Sequence, residues 1–412
     1  MKLDRRSLLR TTGAAAAAVT AGGLGSRAFA ADPIKVAGIH DVSGGLDIYG
    51  APMVNCLTMA VEEINAGGGL LGRELQLINY DPQSNIQLYT QFATEAATKE
   101  RVAVVHGGIT SASREAIRPI LRRFKTLYFY NTQYEGGVCD RNIFCTGSGP
   151  AQNVAHLVPY VMKKWGKKIY ILAADYNYGQ ITAKWVTKFG RDGGGEIVAA
   201  EFFPLDVTDF GATIKKIQAA KPDMVVSALV GGAHISFYRQ WAAAGMNKEI
   251  PLASTTFGVG NEHLVLSPEE GNGITVAFAY FQDLDTPANK AFVEAYKKRF
   301  GADAANVTEL AMQTYMGTKL WAYGVGKAGD IDRMKVIEAL EGGVSMDGPG
   351  GKLTIDPKTH HCILDVHVAE LQNQKFDIVE TVPQVPPSDT QSVCDLSTNP
   401  DANEQFVIDV KI

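Results

Sequence analysis

The sequence predicts an α/β protein of two doubly wound lobes, each built on a parallel sheet, joined by a hinge of three chain segments. Nine short apolar runs alternate with helix-length segments along the chain. The chain that follows the first thirty residues is about 380 residues long, more than a single hydrophobic core usually supports. The alternation is interrupted at 147–153, 281–287 and 348–355. We therefore expect the chain to cross between the lobes three times.

The predicted elements follow one another in regular order. The strands are rich in Val and Ile and lie at 34–40, 74–80, 102–106, 126–130, 168–173, 196–203, 223–229, 251–254 and 274–281. The helices lie at 52–66, 85–99, 113–124, 153–165, 178–191, 210–219, 233–244, 287–300 and 309–327. Apolar strands separated by helices indicate parallel sheets that are covered on both faces.

Lobe boundaries are placed at the interruptions. We assign 33–150 with 282–350 to lobe one, and 151–281 with 351–380 to lobe two. The remaining residues, 381–412, begin with a segment rich in Pro, Ser, Asp and Gln. Such a composition predicts an extended C-terminal strap on the surface.

The first thirty residues have the pattern of an export signal. Paired arginines, Arg5 and Arg6, precede an Ala/Gly-rich run at 13–23, and an A-x-A cleavage pattern occupies 28–30. The paired arginines favour the twin-arginine route. The alternative, a membrane anchor, needs roughly 20 apolar residues, more than this run supplies. We therefore predict a periplasmic protein from which residues 1–30 are removed.

The charge of the remaining chain limits its partners. Residues 1–30 hold five basic residues and one acidic residue, so their removal changes the formal net charge from −5 to −9. An acidic surface argues against nucleic acid or anionic lipid as a partner. No second apolar run is long enough to span a bilayer, so we expect no stable membrane insertion.

The five cysteines fit an oxidising compartment. Cys139 and Cys145 flank a short segment and could close a small loop, while a bridge between Cys362 and Cys394 would hold the tail in place. These four are the predicted disulfide cysteines, although the pairing is open from sequence alone. Cys56 lies in an apolar helical pattern and is expected to be a buried thiol. Metal binding is disfavoured because no C-x-x-C pair occurs.

The usual catalytic motifs are missing from the sequence. It has no G-x-S-x-G elbow, no H-E-x-x-H helix and no phosphate-binding loop. The glycine clusters at 67–69 and 193–195 lie at predicted helix ends, where glycine caps are common. We therefore predict that the protein is not an enzyme and uses no metal or other cofactor.

Polar and aromatic side chains follow three of the predicted strands, at the sheet edge where ligands bind in open α/β folds. The seven predicted ligand-binding residues are Thr110, Ser111, Tyr130, Thr132, Gln133, Tyr176 and Tyr178. One hydroxyl among Thr110, Ser111 and Ser113 is expected to cap the following helix, which leaves the others free to face a cleft. Tyr176 and Tyr178 would share one face of an extended chain. The alternative for Tyr130 is a plain core position.

Seven segments spread over the chain carry a resemblance to a known family. They are AVEEINAGGGLLGRELQL (60–77), TSASREAIRPI (110–120), QYEGG (133–137), GPAQN (149–153), DYNYGQ (175–180), AAKPDMVVSALVGG (219–232) and LDTPANKAFV (284–293). The sequence resembles the branched-chain-amino-acid type of periplasmic solute-binding protein, which serves an ABC importer. Within that type it is most similar to the branch that binds urea and short-chain amides.

The resemblance implies a type I periplasmic-binding-protein fold and a role for the predicted residues. Ser111 and Thr132 would meet the ligand amide, Tyr130 would line the pocket, and Tyr176 with Tyr178 would come from the other lobe. The lobes would close around the ligand by hinge rotation, and a membrane permease would recognise the closed form.

The family pattern is not matched everywhere. Ile109 stands where the urea and amide branch usually has an aromatic residue, and Asn131 stands where proline is usual. We therefore expect a reshaped pocket floor.

Neutral hydrogen-bonding groups fit a small polar, uncharged ligand such as urea or a short-chain amide, because a buried charge would need a partner charge. An amino-acid-binding protein of the same fold is the alternative. It would need a carboxylate facing the ligand ammonium, for which Glu135, Asp175 and Glu262 are candidates. A periplasmic amide hydrolase is a further alternative, and a ligand-responsive regulator is disfavoured by the export signal.

Overall fold

A computed structural model describes residues 32–412. The predicted export signal at 1–30 therefore lies outside the described residues. The strands are β1 (Ile34–Ile39), β2 (Leu75–Tyr80), β3 (Val104–Gly107), β4 (Leu127–Tyr130), β5 (Val138–Asp140), β6 (Ile143–Cys145), β7 (Lys168–Ala174), β8 (Glu196–Phe203), β9 (Met224–Ala228), β10 (Leu252–Ser254), β11 (Thr275–Phe278), β12 (Ser345–Gly348), β13 (Gly351–Asp356), β14 (His361–Gln372), β15 (Lys375–Val385) and β16 (Asn403–Gln405).

The helices cover both faces of the sheets. They are α1 (Asp47–Ala66), α2 (Ile86–Glu95), α3 (Ser111–Arg123), α4 (Val154–Trp165), α5 (Asn177–Asp192), α6 (Gly211–Ala220), α7 (Gly232–Ala243), α8 (Glu262–Val265), α9 (Pro268–Gly271), α10 (Pro287–Phe300), α11 (Glu309–Ala328), α12 (Arg333–Glu341) and α13 (Ser388–Gln391). A π-helical turn, Ala96–Glu100, extends α2, and a 3₁₀ turn, Met246–Lys248, follows α7.

Two parallel sheets form the centre of the molecule. In the first, the strand order is β2-β1-β3-β4-β6, and in the second it is β8-β7-β9-β10-β11. Neighbouring strands within each set are parallel. The inner strands β3, β4 and β9 are buried along their whole length. This burial explains their largely apolar sequences. The parallel pairing of the strands confirms the nine predicted strands and the two doubly wound sheets.

One long strand joins the two sheets. The start of β14 pairs with β6 of the first sheet at His361 and Cys145, and its later half pairs antiparallel with β11 of the second sheet. β14 also pairs antiparallel with β13 and with β15, and β12 pairs antiparallel with β13. None of these late strands was predicted. The residue ranges assigned to the two lobes stay a prediction.

Helix α1 begins at Asp47, five residues before the predicted start at Pro52, so it includes Pro52. A proline inside a helix removes a backbone hydrogen bond. The helix nevertheless buries Tyr49, Met53 and Leu57, and it packs against α11. Tertiary burial therefore outweighs the local cost of the proline.

Two of the four predicted disulfide cysteines do not form a disulfide, and the two that do are joined in a combination that was not considered from the sequence. The structure has one disulfide, Cys139–Cys394, with Cα atoms 5.5 Å apart, while Cys145 and Cys362 are free and buried. The short strands β5 and β16 pair and bring the tail to Cys139. Cys145 and Cys362 instead lie in β6 and β14 and belong to two other apolar clusters. The buried thiol predicted for Cys56 is confirmed.

The C-terminal segment is built into the fold more deeply than a surface strap. Its first five residues, 381–385, continue β15, and Thr390 and Leu396 are buried. Near its end, the guanidinium of Arg191 on α5 donates to the Lys411 carbonyl at 2.6 Å. Within residues 32–412, none of the helices combines the length and the apolar character needed to cross a membrane.

Candidate functional site

The seven predicted ligand-binding residues all line one cavity between the two sheets. The remaining lining residues are Tyr49, Ile109, Val230, Thr256, Val259 and Leu310. The cavity, called the first cavity below, encloses about 380 Å³, part of it open to solvent. The structure thus brings all seven residues together, and their role in binding stays a prediction.

The loop between β3 and α3 forms one wall. Thr110 caps α3, since its hydroxyl oxygen accepts a hydrogen bond from the Ser113 amide at 3.1 Å. The Ser113 hydroxyl in turn donates to the Thr110 carbonyl at 2.8 Å. Ser111 takes no part in the cap, and its hydroxyl donates to the Glu135 carboxylate. The cap is therefore Thr110, and Ser111 is the hydroxyl left for another role.

The residues at the end of β4 form the floor. The Tyr130 hydroxyl donates to the Ile109 carbonyl at 3.1 Å, and the Thr132 hydroxyl donates to the Gly108 carbonyl at 3.1 Å. Both groups are thereby tied to the loop before α3. Tyr130 is fully buried, and burial raises its pKa above the ordinary value. The phenol therefore stays protonated at any physiological pH.

The opposite wall comes from the second sheet. Tyr176 is extended, whereas Tyr178 lies in the first turn of α5, so the expectation that both lie in extended chain was wrong. Their ring centroids are nevertheless 6.3 Å apart. The Tyr178 hydroxyl donates to the Thr255 hydroxyl at 2.9 Å, and the Thr256 hydroxyl donates to the Leu229 carbonyl at 2.7 Å.

Three side chains connect the two walls. The Tyr49 hydroxyl accepts from the Gly231 amide at 2.9 Å, and Gln133 Nε2 donates to the Thr255 carbonyl at 2.8 Å. Trp185 on α5 donates to the Glu135 carbonyl at 3.0 Å. Each bond joins an element of the first sheet to one of the second. The structure therefore has the two halves closed on each other.

Sequence reasoning missed Tyr49. A signal for it existed, because the residue follows the carboxyl end of β1, but the predicted helix began after it. Gly50 explains why Tyr49 reaches the cavity: a Cβ at that position would lie 1.8 Å from the Asp41 carbonyl oxygen. The absence of a side chain lets α1 approach the loop that follows β1.

The three carboxylates considered for an ammonium group do not line the first cavity. Glu135 is buried and pairs with Arg114 at 3.0 Å. Asp175 is exposed and accepts from Gln180 at 2.8 Å. Glu262 is buried and lies 3.1 Å from His234 Nε2. Burial opposes the charged form of Glu262, but His234 and backbone amides hold its pKa below the ordinary value.

Arg114 lies directly behind the floor. It is buried, and its guanidinium carbon lies 5.1 Å from the Tyr130 ring centroid and 4.6 Å from that of Tyr134. Gln405 of β16 donates to Glu135 at 2.6 Å and accepts from Arg114 at 2.8 Å. The C-terminal segment thus completes a buried network that holds Ser111 and Tyr130 in place.

Comparison with known proteins gives a consistent result. The profile of the family described as periplasmic binding protein matches residues 33–375. The chain is 27% identical over 374 residues to the leucine-, isoleucine-, valine-, threonine- and alanine-binding protein of Pseudomonas aeruginosa, covering 88% of this chain and 94% of that protein. It is 26% identical over 340 residues to Leu/Ile/Val-binding protein homolog 7 of Brucella suis, covering 77% and 83%.

Solved structures are similar along most of the chain. An ABC-transporter solute binding protein from R. palustris, in complex with 4-hydroxybenzoate, has a TM-score of 0.76 and 25% identity, covering 86% of this chain and 98% of that one. The branched-chain amino acid transporter substrate binding protein of Streptococcus pneumoniae, in complex with isoleucine, has a TM-score of 0.75 and 22% identity. The respective coverages for the second structure are 85% and 99%.

Proposed function

The chain belongs to the periplasmic binding protein family, and from that premise we propose that it delivers a small, uncharged amide-like solute to an ABC importer. Its relatives include Leu/Ile/Val-binding proteins, which agrees with the broader resemblance drawn from the sequence. The narrower urea and short-chain amide branch is our proposal. The observation that carries it is the direction in which the cavity hydroxyls donate.

Five hydroxyl groups in the lining donate their protons to the protein itself. Those of Ser111, Tyr130, Thr132, Tyr178 and Thr256 each have a protein acceptor. A hydroxyl whose proton is already donated to a protein acceptor can offer a ligand only its oxygen lone pairs. The ligand must therefore supply N–H or O–H donors.

Donors that the protein holds in fixed positions come from helix ends. Helix α3 begins at Ser111, α5 begins beside Tyr176, and α7 begins two residues after Val230. The first-turn N–H groups of a helix lack helical partners and favour an acceptor oxygen. An amide combines a carbonyl acceptor with N–H donors and carries no charge. It therefore matches both sets of groups in a lining without charged side chains.

An amino acid is the second candidate. The Pseudomonas aeruginosa relative is named for five amino acids, and the helix ends would suit an α-carboxylate. The ammonium group is the difficulty, because no carboxylate lines the first cavity. A desolvated ammonium without a partner charge is costly, so we rank this candidate second.

The mechanism we propose is closure of the two halves around the solute. The bonds from Tyr49 to Gly231 and from Gln133 to Thr255 would form as the halves meet. Rotation about the segments that link the sheets is the usual form of such a change. The closed surface is what the permease of the importer would recognise.

A thermal-shift panel tests the proposal. Urea, formamide, acetamide and propionamide are compared with neutral amino acids and hydroxybenzoates, each at the same concentration. A ligand at 100 times its Kd stabilises the folded state by about 2.7 kcal/mol. We expect a saturable rise in Tm with at least one amide, and a shift with amino acids alone would overturn the amide proposal.

A pair of isosteric variants supplies the control. Thr132→Val removes one acceptor oxygen from the lining and should weaken amide binding about tenfold, the effect of one unmade hydrogen bond. Thr318→Val makes the same change at a buried residue of α11 outside the lining and should leave binding unchanged. Equal affinity in the two variants would remove Thr132 from the site. Hydrolysis of the amide by the wild-type protein would favour an enzyme instead.

A further inference from the structure

A second cavity lies beside the first and shares Val259 with it. It is bounded by the loop after β10, the chain that leaves β11, the start of α11, and Phe376 of β15. It encloses about 330 Å³, part of it open to solvent. None of the predicted binding residues lines this cavity.

Three polar atoms of its lining residues are buried and have no hydrogen-bond partner in the protein. They are Glu309 Oε2, Asn261 Oδ1 and His263 Nδ1. Glu309 is 2% exposed and His263 is 4% exposed. The other carboxylate oxygen of Glu309 accepts from the Ser148 hydroxyl at 2.7 Å. Because leaving such groups unpaired is costly, they indicate a partner that donates hydrogen bonds.

Aromatic rings form much of the remaining wall. The centroid of Phe281 lies 5.0 Å from that of Phe376 and 5.5 Å from that of Phe278. The His263 ring lies 4.8 Å from Phe376. Aromatic faces attract cations through their quadrupole. Rings of this kind beside a carboxylate are typical of sites for organic ammonium groups.

The charged residues of the lining also favour a cation. Glu309 and Asp283 are its two acidic residues, and it contains neither lysine nor arginine. Asp283 accepts from the Phe376 amide at 3.0 Å, so one of its oxygens is already engaged.

The geometry points to a site for a small primary ammonium group, R–NH3⁺, in the second cavity, held by Glu309, Asn261, His263 and the faces of Phe281 and Phe376. Three N–H donors match three unpartnered atoms, and the cation matches the acidic, aromatic wall. The site is distinct from the solute site of the proposed function. A ligand there would contact the chain that leaves β11 of the second sheet and the start of α11.

The protonation states of the lining are compatible with such a ligand. Burial raises the pKa of Glu309 to about 7 and lowers that of His263 to about 4. Burial also raises the pKa of Asp283, with Lys375 and Lys297 acting in the opposite direction. At pH 7.5 the imidazole is therefore neutral and can accept through one nitrogen. An arriving cation would draw the Glu309 carboxyl into its charged form.

Isothermal titration of the chain without its predicted export signal tests the inference, using methylammonium chloride at pH 7.5 and sodium chloride at equal ionic strength as the reference. We expect saturable binding of methylammonium, weaker binding of tetramethylammonium, which has no N–H donor, and none of the neutral ethanol. Methylammonium that binds no better than sodium would overturn the inference. Equal affinity for tetramethylammonium would overturn the role of the three acceptors.

Variants locate the site. Glu309→Gln should weaken methylammonium binding at least tenfold, and the exposed Glu294→Gln should leave it unchanged. Phe281→Leu, which keeps an apolar side chain, should weaken binding several-fold and covers the case in which Glu309→Gln fails to fold. Undiminished binding by Glu309→Gln would place the cation elsewhere.

The proposals for the two sites can be contradicted independently of each other. Glu309→Gln should keep the amide-induced rise in Tm, and Thr132→Val should keep methylammonium binding. If no amide shifts the Tm while methylammonium binds as described, the proposed function fails and the ammonium site stands. The reverse result leaves the solute site and removes the ammonium site.

Discussion

The two cavities share Val259 as a wall, yet they differ in whether charged side chains belong to the lining. Around the first cavity the lining has no charged side chain, and the charged groups behind it are paired, as Arg114 is with Glu135. In the second cavity a carboxylate lies in the lining itself, and one oxygen of Glu309 has no partner. The first arrangement presents neutral lone pairs to a solute. The second arrangement retains a carboxyl group, and its ionisation depends on the pH and on the charge of the bound ligand.

This contrast has an energetic consequence. A buried ion pair with its hydrogen bonds made is tolerated, whereas removing one partner exposes the full desolvation cost of the other. A buried carboxyl without a charge partner avoids that cost by remaining protonated. Substitutions in the two regions should therefore change stability in opposite directions.

The largest expected effect is at Arg114. Arg114→Met leaves the Glu135 carboxylate buried and unpaired, and we expect a loss of about 3–5 kcal/mol in the free energy of unfolding. Urea denaturation at pH 7 measures it, with the exposed Arg123→Met as the matched control. The double variant Arg114→Met/Glu135→Leu should recover much of the loss. A double variant as unstable as the single one would show that the pairing with Glu135 is not the cause.

The second effect has the opposite sign and depends on pH. The folded-state pKa of Glu309 is raised from 4.5 to about 7 by burial, so the stability it contributes is full below pH 4.5 and is lost as pH rises through 7. Since one pKa unit corresponds to about 1.4 kcal/mol, the loss amounts to about 3 kcal/mol.

Glu309→Gln cannot ionise and should avoid this loss. In amine-free buffer it should be more stable than the wild type at pH 8 and nearly equal to it at pH 4.5, as measured by the Tm across that range. A difference in Tm that does not vary with pH would contradict the assigned protonation of Glu309.

The smallest effect distinguishes two rings of the first cavity. The Tyr178 hydroxyl is held by its bond to Thr255 and offers lone pairs in a fixed position to a ligand, whereas the hydroxyl of Tyr176 has no hydrogen bond among the described residues and is not held in place by the protein. Tyr178→Phe should therefore weaken binding of the amide found in the panel about three- to tenfold, and Tyr176→Phe should change it less than twofold. Titration of both variants measures this, and a larger loss at Tyr176 would reverse the assignment.

Features that depend on neighbouring residues could be predicted from the sequence, whereas features that depend on contacts between distant residues could not. The nine predicted strands could be read locally because buried parallel strands are unbroken apolar runs. The same rule placed Thr110, Thr132 and Tyr178 at the carboxyl ends of strands, and the structure brings these residues of two different sheets into one cavity. The chain from β12 to β16 was missed. The strands β12, β15 and β16 are half exposed or very short and carry no such run, and in the long, mostly buried β14 the polar residues Asp365, His367 and Glu370 interrupt the apolar sequence.

The disulfide and the second cavity could not be predicted from the sequence for a different reason. Cys139 and Cys394 are separated by 255 residues, and only the pairing of β5 with β16 brings them together. Glu309 and Phe376 lie in distant parts of the chain and meet in the second cavity through the strands that join the two sheets.

The sequence by itself determined the two parallel sheets, the position of the polar groups at their carboxyl ends, and the presence of a hydroxyl cap on α3 among Thr110, Ser111 and Ser113, because each depends on neighbouring residues and on strand or helix period. The tertiary structure alone decided which acceptor each hydroxyl donates to, which cysteines pair, and which carboxylate oxygen of the second cavity stays without a partner. Those outcomes depend on atoms far apart in the chain whose contacts exist only after packing. The chemistry of each cavity was therefore set by packing, although the residues of the first could be predicted from sequence.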